Sequence, residues 1–254
     1  MIELRDLTKR YGQVLAVDHV TLSVPPGEIF GFLGPNGAGK TTTIRMMMGL
    51  LQPTAGGVFL NGFDLRTHPL EAKRLCGFVP DRPYIYEKLT ANEFLAFVAG
   101  LYGVPDGTME RRRAEWLDLF DLAAWADELV ESYSHGMKQR LTMAAALIHA
   151  PRLLIVDEPM VGLDPRGARL LKRTFRQLAD DGVSVFMSTH SLEVAEETCD
   201  RIGIINQGRM IALGTVDELR AQVGSGEQLR LEAVFLSLTG GLDGDHGGIG
   251  GVRE

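Results

Sequence analysis

The chain has 254 residues, 45% of them hydrophobic, which suits one α/β domain with a smaller insertion, or at most two domains. Its formal net charge of −7 excludes the basic footprint of sequence-independent nucleic-acid binding, and the basic run Arg111-Arg112-Arg113 sits among Glu110, Glu115 and Asp118, as on a solvated helix face. No run of about 18 uncharged apolar residues occurs, and Met1-Ile2-Glu3-Leu4-Arg5-Asp6 is charged at once, so neither a membrane span nor a signal peptide is expected.

In chain order, residues 2–7, 16–24 and 58–60 read as short strands, broken by Pro25-Pro26-Gly27 and Asn61-Gly62. Residues 28–33 read as a buried strand running into a glycine-rich turn and a helix over 40–50, and 76–79 as another strand. Cys76 opens that strand; it and Cys199 have no metal-type spacing and fit a reducing compartment. Helical character then takes over from about 84 to 150. Thr90-Ala91-Asn92-Glu93 is a capping box opening a helix to Leu101, and further helices are expected over 109–121 and 137–149. Strand and helix alternate again: strand 153–156, helix 165–179 with Asp164 as N-cap and Pro165 at its first position, strand 183–187, helix 192–199, a hairpin of 202–206 with 210–213, and a short helix capped at Thr215. This alternation implies a mainly parallel sheet with helices on both faces. The glycine-rich stretch 240–251 reads as disordered.

Gly34-Pro35-Asn36-Gly37-Ala38-Gly39-Lys40-Thr41, followed by Thr42, matches the phosphate-binding pattern G-x-x-x-x-G-K-[ST]. Its glycines allow close backbone approach to phosphate oxygens, and the helix that follows offers free N–H groups. Lys40 is placed for the β- and γ-phosphates and Thr41 for Mg²⁺. The apolar run Leu153-Leu154-Ile155-Val156 delivers Asp157 and Glu158 to a strand end, Asp157 suited to the metal and Glu158 to the attacking water. His190 follows a third strand, so it shares the carboxyl edge where ligands bind in open parallel sheets.

With these residues the chain resembles the nucleotide-binding subunit of ABC transporters from residue 2 to about 238. Tyr11 stands where that family stacks an aromatic on adenine, the other reading being that the aromatic simply covers the sheet edge. Val161-Gly162-Leu163-Asp164-Pro165 matches the loop after the acids, and His190 the switch histidine. The signature Leu-Ser-Gly-Gly-Gln appears as Tyr133-Ser134-His135-Gly136-Met137: Ser134 and Gly136 are kept, the first glycine and the glutamine are not. Where many members carry a glutamine, this chain has Asp81, read either as a metal or water ligand or as a plain turn residue.

The resemblance implies a P-loop NTPase with a RecA-like, mainly parallel core, an N-terminal antiparallel β subdomain and an inserted α-helical subdomain. The expected division is an ATPase domain over 1–222 with the insertion at about 84–150, a short extension over 223–239 and a tail over 240–254. It further implies ATP and Mg²⁺ as cofactors, hydrolysis of ATP through Glu158, His190 and Lys40, and a head-to-tail dimer, expected to be a homodimer, in which Ser134 and Gly136 close on the partner's ATP. The chain is expected on the inner face of the cell membrane, held there by separate integral membrane permease subunits and binding no nucleic acid. The signature form and residues 231–241 resemble subunits of bacterial ABC-2-type exporters; an importer subunit or a soluble ABC ATPase is the alternative. Residues 81–89, rich in Tyr and Arg, are read as the docking segment for the membrane partner, the other reading being that Tyr84, Ile85 and Tyr86 pack the base of the helical block.

Overall fold

The computed structural model describes residues 1–82, 84–222 and 231–239. Strands β1 (Ile2–Tyr11) and β2 (Val14–Val24) form a hairpin. β3 (Ile29–Leu33) runs through the glycine-rich loop into α1 (Lys40–Met47). β4 (Ala55–Leu60) and the two-residue β5 (Phe63–Asp64) follow, then α2 (Pro69–Arg74) and β6 (Cys76–Val79). Helices α3 (Ala91–Leu101), α4 (Asp106–Leu119) and α5 (His135–Leu147) come next. The chain returns with β7 (Leu153–Asp157), α6 (Pro165–Asp180), β8 (Ser184–Thr189), α7 (Leu192–Thr198), β9 (Arg201–Asn206) and β10 (Arg209–Gly214), then α8 (Val216–Gln222) and α9 (Leu231–Thr239).

Two sheets result. The first has the order β2-β1-β4-β5 and is antiparallel; the second has the order β10-β9-β3-β8-β7-β6 and is parallel except for the β9–β10 hairpin. This is the P-loop NTPase arrangement expected, with an antiparallel sheet beside a mainly parallel one. Every residue of β3, β7 and β8 is buried, as parallel strands covered on both faces require. Side chains alternate across β3: Phe30 and Phe32 join Phe186 of β8 in the core shared with the antiparallel sheet and α1. Their ring centroids lie 5.6 and 5.3 Å from that of Phe186. Ile29 and Leu33 face the other core, built with α3, α5, α6 and α7.

Where boundaries differ from the sequence reading, local chemistry explains it. α3 starts as expected because both bonds of the Thr90–Glu93 capping box form. α5 starts two residues before the expected Met137, because the Ser134 hydroxyl caps it by accepting from the Met137 N–H at 3.3 Å. α1 ends at Met47, before the expected residue 50, and Gly49 then turns the chain at φ 61°. α4 begins at Asp106 rather than 109, following the extended Pro105. Within the extension, 231–239 form α9 with Leu231 fully buried, whereas 223–230 and the tail 240–254 lie outside the described residues.

A ring stack adds to the packing that ties the helices to the core. His149, just past α5, stacks on Tyr102 at the end of α3, with centroids 3.7 Å apart and planes 11° from parallel. Its Nε2 donates to the Cys76 carbonyl of β6 at 3.1 Å, while Nδ1 has no partner among the described residues. Protonating Nδ1 would therefore bury an N–H without an acceptor, and burial pushes the imidazole from 6.5 down to about 4. The folded chain holds His149 neutral while the unfolded chain protonates it near 6.5, so its contribution is complete above that pH and is lost as acid approaches pH 4. That loss is at most about 3 kcal/mol. His149→Gln, which keeps a donor for Cys76, is expected to flatten the fall in urea-unfolding free energy over this window; an unchanged slope would locate the acid sensitivity elsewhere.

Candidate functional site

The parallel register places four strand ends side by side. Leu33 pairs with Thr189 and Asp157 with Ser188, while Val79 of β6 pairs with Val156. The residues that follow, Gly34, Glu158, His190 and Asp81, therefore surround one place. A cavity of about 380 Å³ lies there, lined by Pro35, Asn36, Gly37, Gly39, Lys40, Thr41, Thr42, Asp81, Asp157, Glu158 and His190, together with Ala16 and Val161.

The loop is shaped for an anion. Gly39 has φ 111°, and a Cβ on it would fall 2.6 Å from the Ala16 carbonyl oxygen, so only glycine fits. Helix α1 begins directly after it with no side-chain cap, leaving its first N–H groups for a ligand. Gly34 and Ala38 complete the loop: the Gly34 carbonyl accepts from Lys40 Nζ at 2.6 Å, Pro35 accepts from the same ammonium at 3.2 Å, and the Ala38 carbonyl accepts from Gly208 N–H at 2.9 Å. Lys40 is 7% exposed. Burial pushes its pKa down, and Glu158 and Asp157 push it back up. The ammonium thus rests on its own loop.

Asp157 accepts a short hydrogen bond from the Ser188 hydroxyl. Burial raises its pKa, the Ser188 bond opposes this, and the neighbouring charges of Asp81 and Glu158 raise it further. Three carboxylates and the Thr41 hydroxyl face one space, an oxygen donor set that suits a hard cation. Among the described residues no cluster of three or more His, Cys, Asp or Glu forms a cage of its own. Glu158 adopts φ 50°, a strained backbone costing about 1–3 kcal/mol. It is held there by its N–H, which donates to the Ser188 carbonyl at 3.2 Å. Its Oε2 lies 2.9 Å from His190 Nδ1.

Not every expected residue reaches this cavity. Tyr11 sits at the end of β1, 48% exposed and outside the lining, with Lys9 Nζ 5.2 Å above its ring. Ser134 and Gly136 stand apart from the cavity, at the start of α5. There the signature segment packs on the loop that follows the acids: Gly136 neighbours Leu163, and His135 lies against Gly162. Two participants escaped the sequence reading. Ser188 carries no motif and is visible only through its register with Asp157, and Ala16 lies on β2, far from the loop in sequence.

Residues 17–161 match the family model described as ABC transporter. The chain is 40% identical over 231 residues to the linearmycin resistance ATP-binding protein LnrL of Bacillus subtilis, covering 91% of this chain and 74% of that protein. It is 38% identical over 248 residues to the probable multidrug ABC transporter ATP-binding protein YbhF of Escherichia coli, covering 97% of this chain but 43% of YbhF, less than half its length. A solved structure, the ATP-binding subunit of an ABC transporter, superposes with a TM-score of 0.89 at 34% identity, covering 94% of this chain and 99% of that one.

The His135–Gly162 contact leaves no room for a side chain. A Cβ on Gly162, at φ 78°, would fall 2.6 Å from His135 Cδ2 and 2.9 Å from Nε2. Gly162→Ala is expected to lower the unfolding free energy by about 1–3 kcal/mol through clash and strain together. Adding His135→Ala should restore the clash component and leave the backbone component. Denaturant midpoints of the two single variants and the double variant separate these, and strict additivity would mean that the ring does not bear on Gly162.

Proposed function

The chain belongs to the ABC transporter family as an ATP-binding subunit, and on that premise we propose that it hydrolyses ATP at the cavity beside the glycine-rich loop, with Glu158 as the base. The observation that carries the reading is the Glu158–His190 pair at 2.9 Å, facing Lys40 and Asp157 across one small cavity. The loop N–H groups and Lys40 take the phosphates, Lys40 exchanging the Gly34 and Pro35 carbonyls for the β- and γ-oxygens. Mg²⁺, when bound, neutralises charge on the phosphates during transfer. Thr41 supplies its hydroxyl ligand, with Asp157 and Asp81 holding the waters around it. Glu158 accepts the proton of the attacking water, and His190 orients Glu158 and contacts the γ-phosphate. Tyr11, exposed at the end of β1, stacks on adenine.

Ser134, Gly136 and the N-terminus of α5 are not part of the cavity lining, so we read the phosphate they recognise as one held by a second copy. We accordingly read the working unit as a head-to-tail dimer, with residues 1–222 as its ATPase domain and 84–150 as an insertion able to move. Among the described residues no helix is long and apolar enough to cross a membrane. Force then passes to a separate permease that holds the chain at the inner membrane face. Export is the direction supported by the resistance and multidrug names of LnrL and YbhF. The permease docks at the groove between the core and the helical block. Tyr84 lines it and is 83% exposed, which favours docking for this ring, whereas Tyr86 sets its ring edge-on to Phe97 of α3 at 5.4 Å and Ile85 packs against the core.

Glu158→Gln is expected to retain ATP binding, lose about 10²–10⁴-fold in hydrolysis, and elute as a dimer with MgATP on a sizing column. Turnover above about a tenth of wild type would remove Glu158 as the base. Mixing inactive Lys40→Ala with inactive Ser134→Arg should recover a fraction of the activity, because one composite site keeps both intact halves; no recovery at any ratio would point to a self-sufficient monomer.

A further inference from the structure

We propose that Asp18 and Arg209 are positioning residues for nucleotide binding: their ion pair fixes the β9–β10 turn behind the glycine-rich loop, and that turn aims the Gly39 N–H at a phosphate. This rests on the reading of the cavity as the nucleotide site and adds what holds the loop in its binding shape.

The turn consists of Gln207 and Gly208, at φ 47° and 81°. Both lie in the left-handed region, the geometry of the tightest hairpin turns, and Gln207 adopts it against the preference of a residue with a Cβ. The Gly208 N–H donates to the Ala38 carbonyl at 2.9 Å. It does so from behind the loop, because Ala38 is 3% exposed and outside the cavity lining, whereas Gly39 belongs to it. In a planar trans peptide the C=O of one residue and the N–H of the next point opposite ways, and no described peptide bond is cis. Holding the Ala38 carbonyl on the hairpin therefore turns the Gly39 N–H away from it, on the side of the cavity. β2 runs close by: a Cβ on Gly208 would fall 3.0 Å from the Ala16 carbonyl oxygen.

A hairpin tip is a poor anchor unless something holds it, and Asp18 of β2 holds this one at two points. Its N–H donates to the Gly208 carbonyl at 2.8 Å, and its Oδ2 accepts from Arg209 Nε at 2.5 Å. The Asp18 side chain is 8% exposed, and its Oδ1 lies 2.6 Å from His19 Nδ1. The bonds to His19 and to Arg209 keep the carboxyl below the usual carboxylate range, so it is charged at neutral pH. Arg209 is 72% exposed, and an ion pair that open adds little to folding stability. Its effect is therefore on where the turn sits, not on whether the chain folds.

The test uses the full chain with isotope-labelled glycine and reads two quantities: the Kd of ADP without Mg²⁺, by calorimetry, and the shift of the Gly39 amide proton when ADP saturates the site. In the wild type that proton should move downfield as it bonds a phosphate oxygen. Arg209→Met, which keeps the apolar stem, should weaken ADP about tenfold, the low end for one hydrogen bond to a charged group. It should also shrink the Gly39 shift at saturation, with the urea midpoint nearly unchanged. Asp18→Asn, which keeps the backbone bond to Gly208, should behave alike, and the double variant no worse than either single one. Arg209→Lys, which restores a cation, should recover most of both readouts. An unmoved affinity, or a weakened one with the wild-type Gly39 shift, would overturn the clamp, as would additive losses in the double variant. Losses that follow the urea midpoint down in every variant, Arg209→Lys included, would reduce the pair to a fold contact and overturn it too. So would a wild-type Gly39 proton that ignores bound ADP. A wild type that binds no ADP would remove the nucleotide reading of the cavity, and the clamp with it.

Discussion

The candidate site depends on the parallel register of β3, β8 and β7, which end level with one another because every residue in them is buried between two layers of core. Sliding any of these strands by one residue would exchange its two faces, turning Phe30 and Phe32 toward the core that Ile29 and Leu33 occupy. Register here is thus fixed by apolar packing, at no expense to the polar groups at the strand ends. Those groups can then be strained, buried or mutually repelling. Glu158 sits at positive φ, and Asp157 is buried near two other carboxylates. Neither arrangement is one the isolated segment would choose, and the sheet is what imposes both.

Asp157 and Lys40 are buried opposite charges in one cavity, yet no ion pair joins them, and Lys40 bonds instead to two backbone carbonyls. Each charge is thereby partly unsatisfied: the carboxyl has its pKa pushed up and the ammonium has its pKa pushed down, with burial the leading cause in both. A ligand that brings phosphate oxygens to Lys40 and a cation to Asp157 relieves both at once. This is a physical reason for the nucleotide and the metal to bind together, and it follows from the protein groups alone.

Much of this was legible in the sequence because the informative signals are local. The glycine loop, the apolar run before Asp157 and the capping box at Thr90 are each set by neighbours within a few positions, and the strands and helices they announce appear where expected. What stayed hidden depends on contacts distant in sequence. Ser188 bonds Asp157 across 31 positions, and Ala16 closes on Gly39 from another sheet. α2 and β5 are too short to show periodicity, and α2 is marked only by Pro69 at its start. α5 starts ahead of the expected Met137 because the Ser134 hydroxyl is its cap, a bond that forms only once the chain turns there. Tyr11 is a different case. Its stacking role came from resemblance alone, and its ring stands exposed beyond the lining, so the residues around it neither supply the role nor oppose it.

The groove and the nucleotide cavity are closer in covalent terms than their separate linings suggest. Pro80 lines the groove and Asp81, the next residue, lines the cavity. A second connection runs from α2: the Leu75 carbonyl that follows it accepts from the N–H groups of Arg152 and Leu153 at 2.9 and 3.0 Å, anchoring the start of β7, whose far end carries Asp157 and Glu158. Stiff connections of this kind transmit nothing unless some member has two positions. On the proposed function Lys40 is such a member, since its ammonium would exchange the loop carbonyls for a phosphate. A force applied at the groove therefore meets a rigid sheet edge first. On the proposed function it would act by shifting the balance at Lys40, not by deforming the strands between.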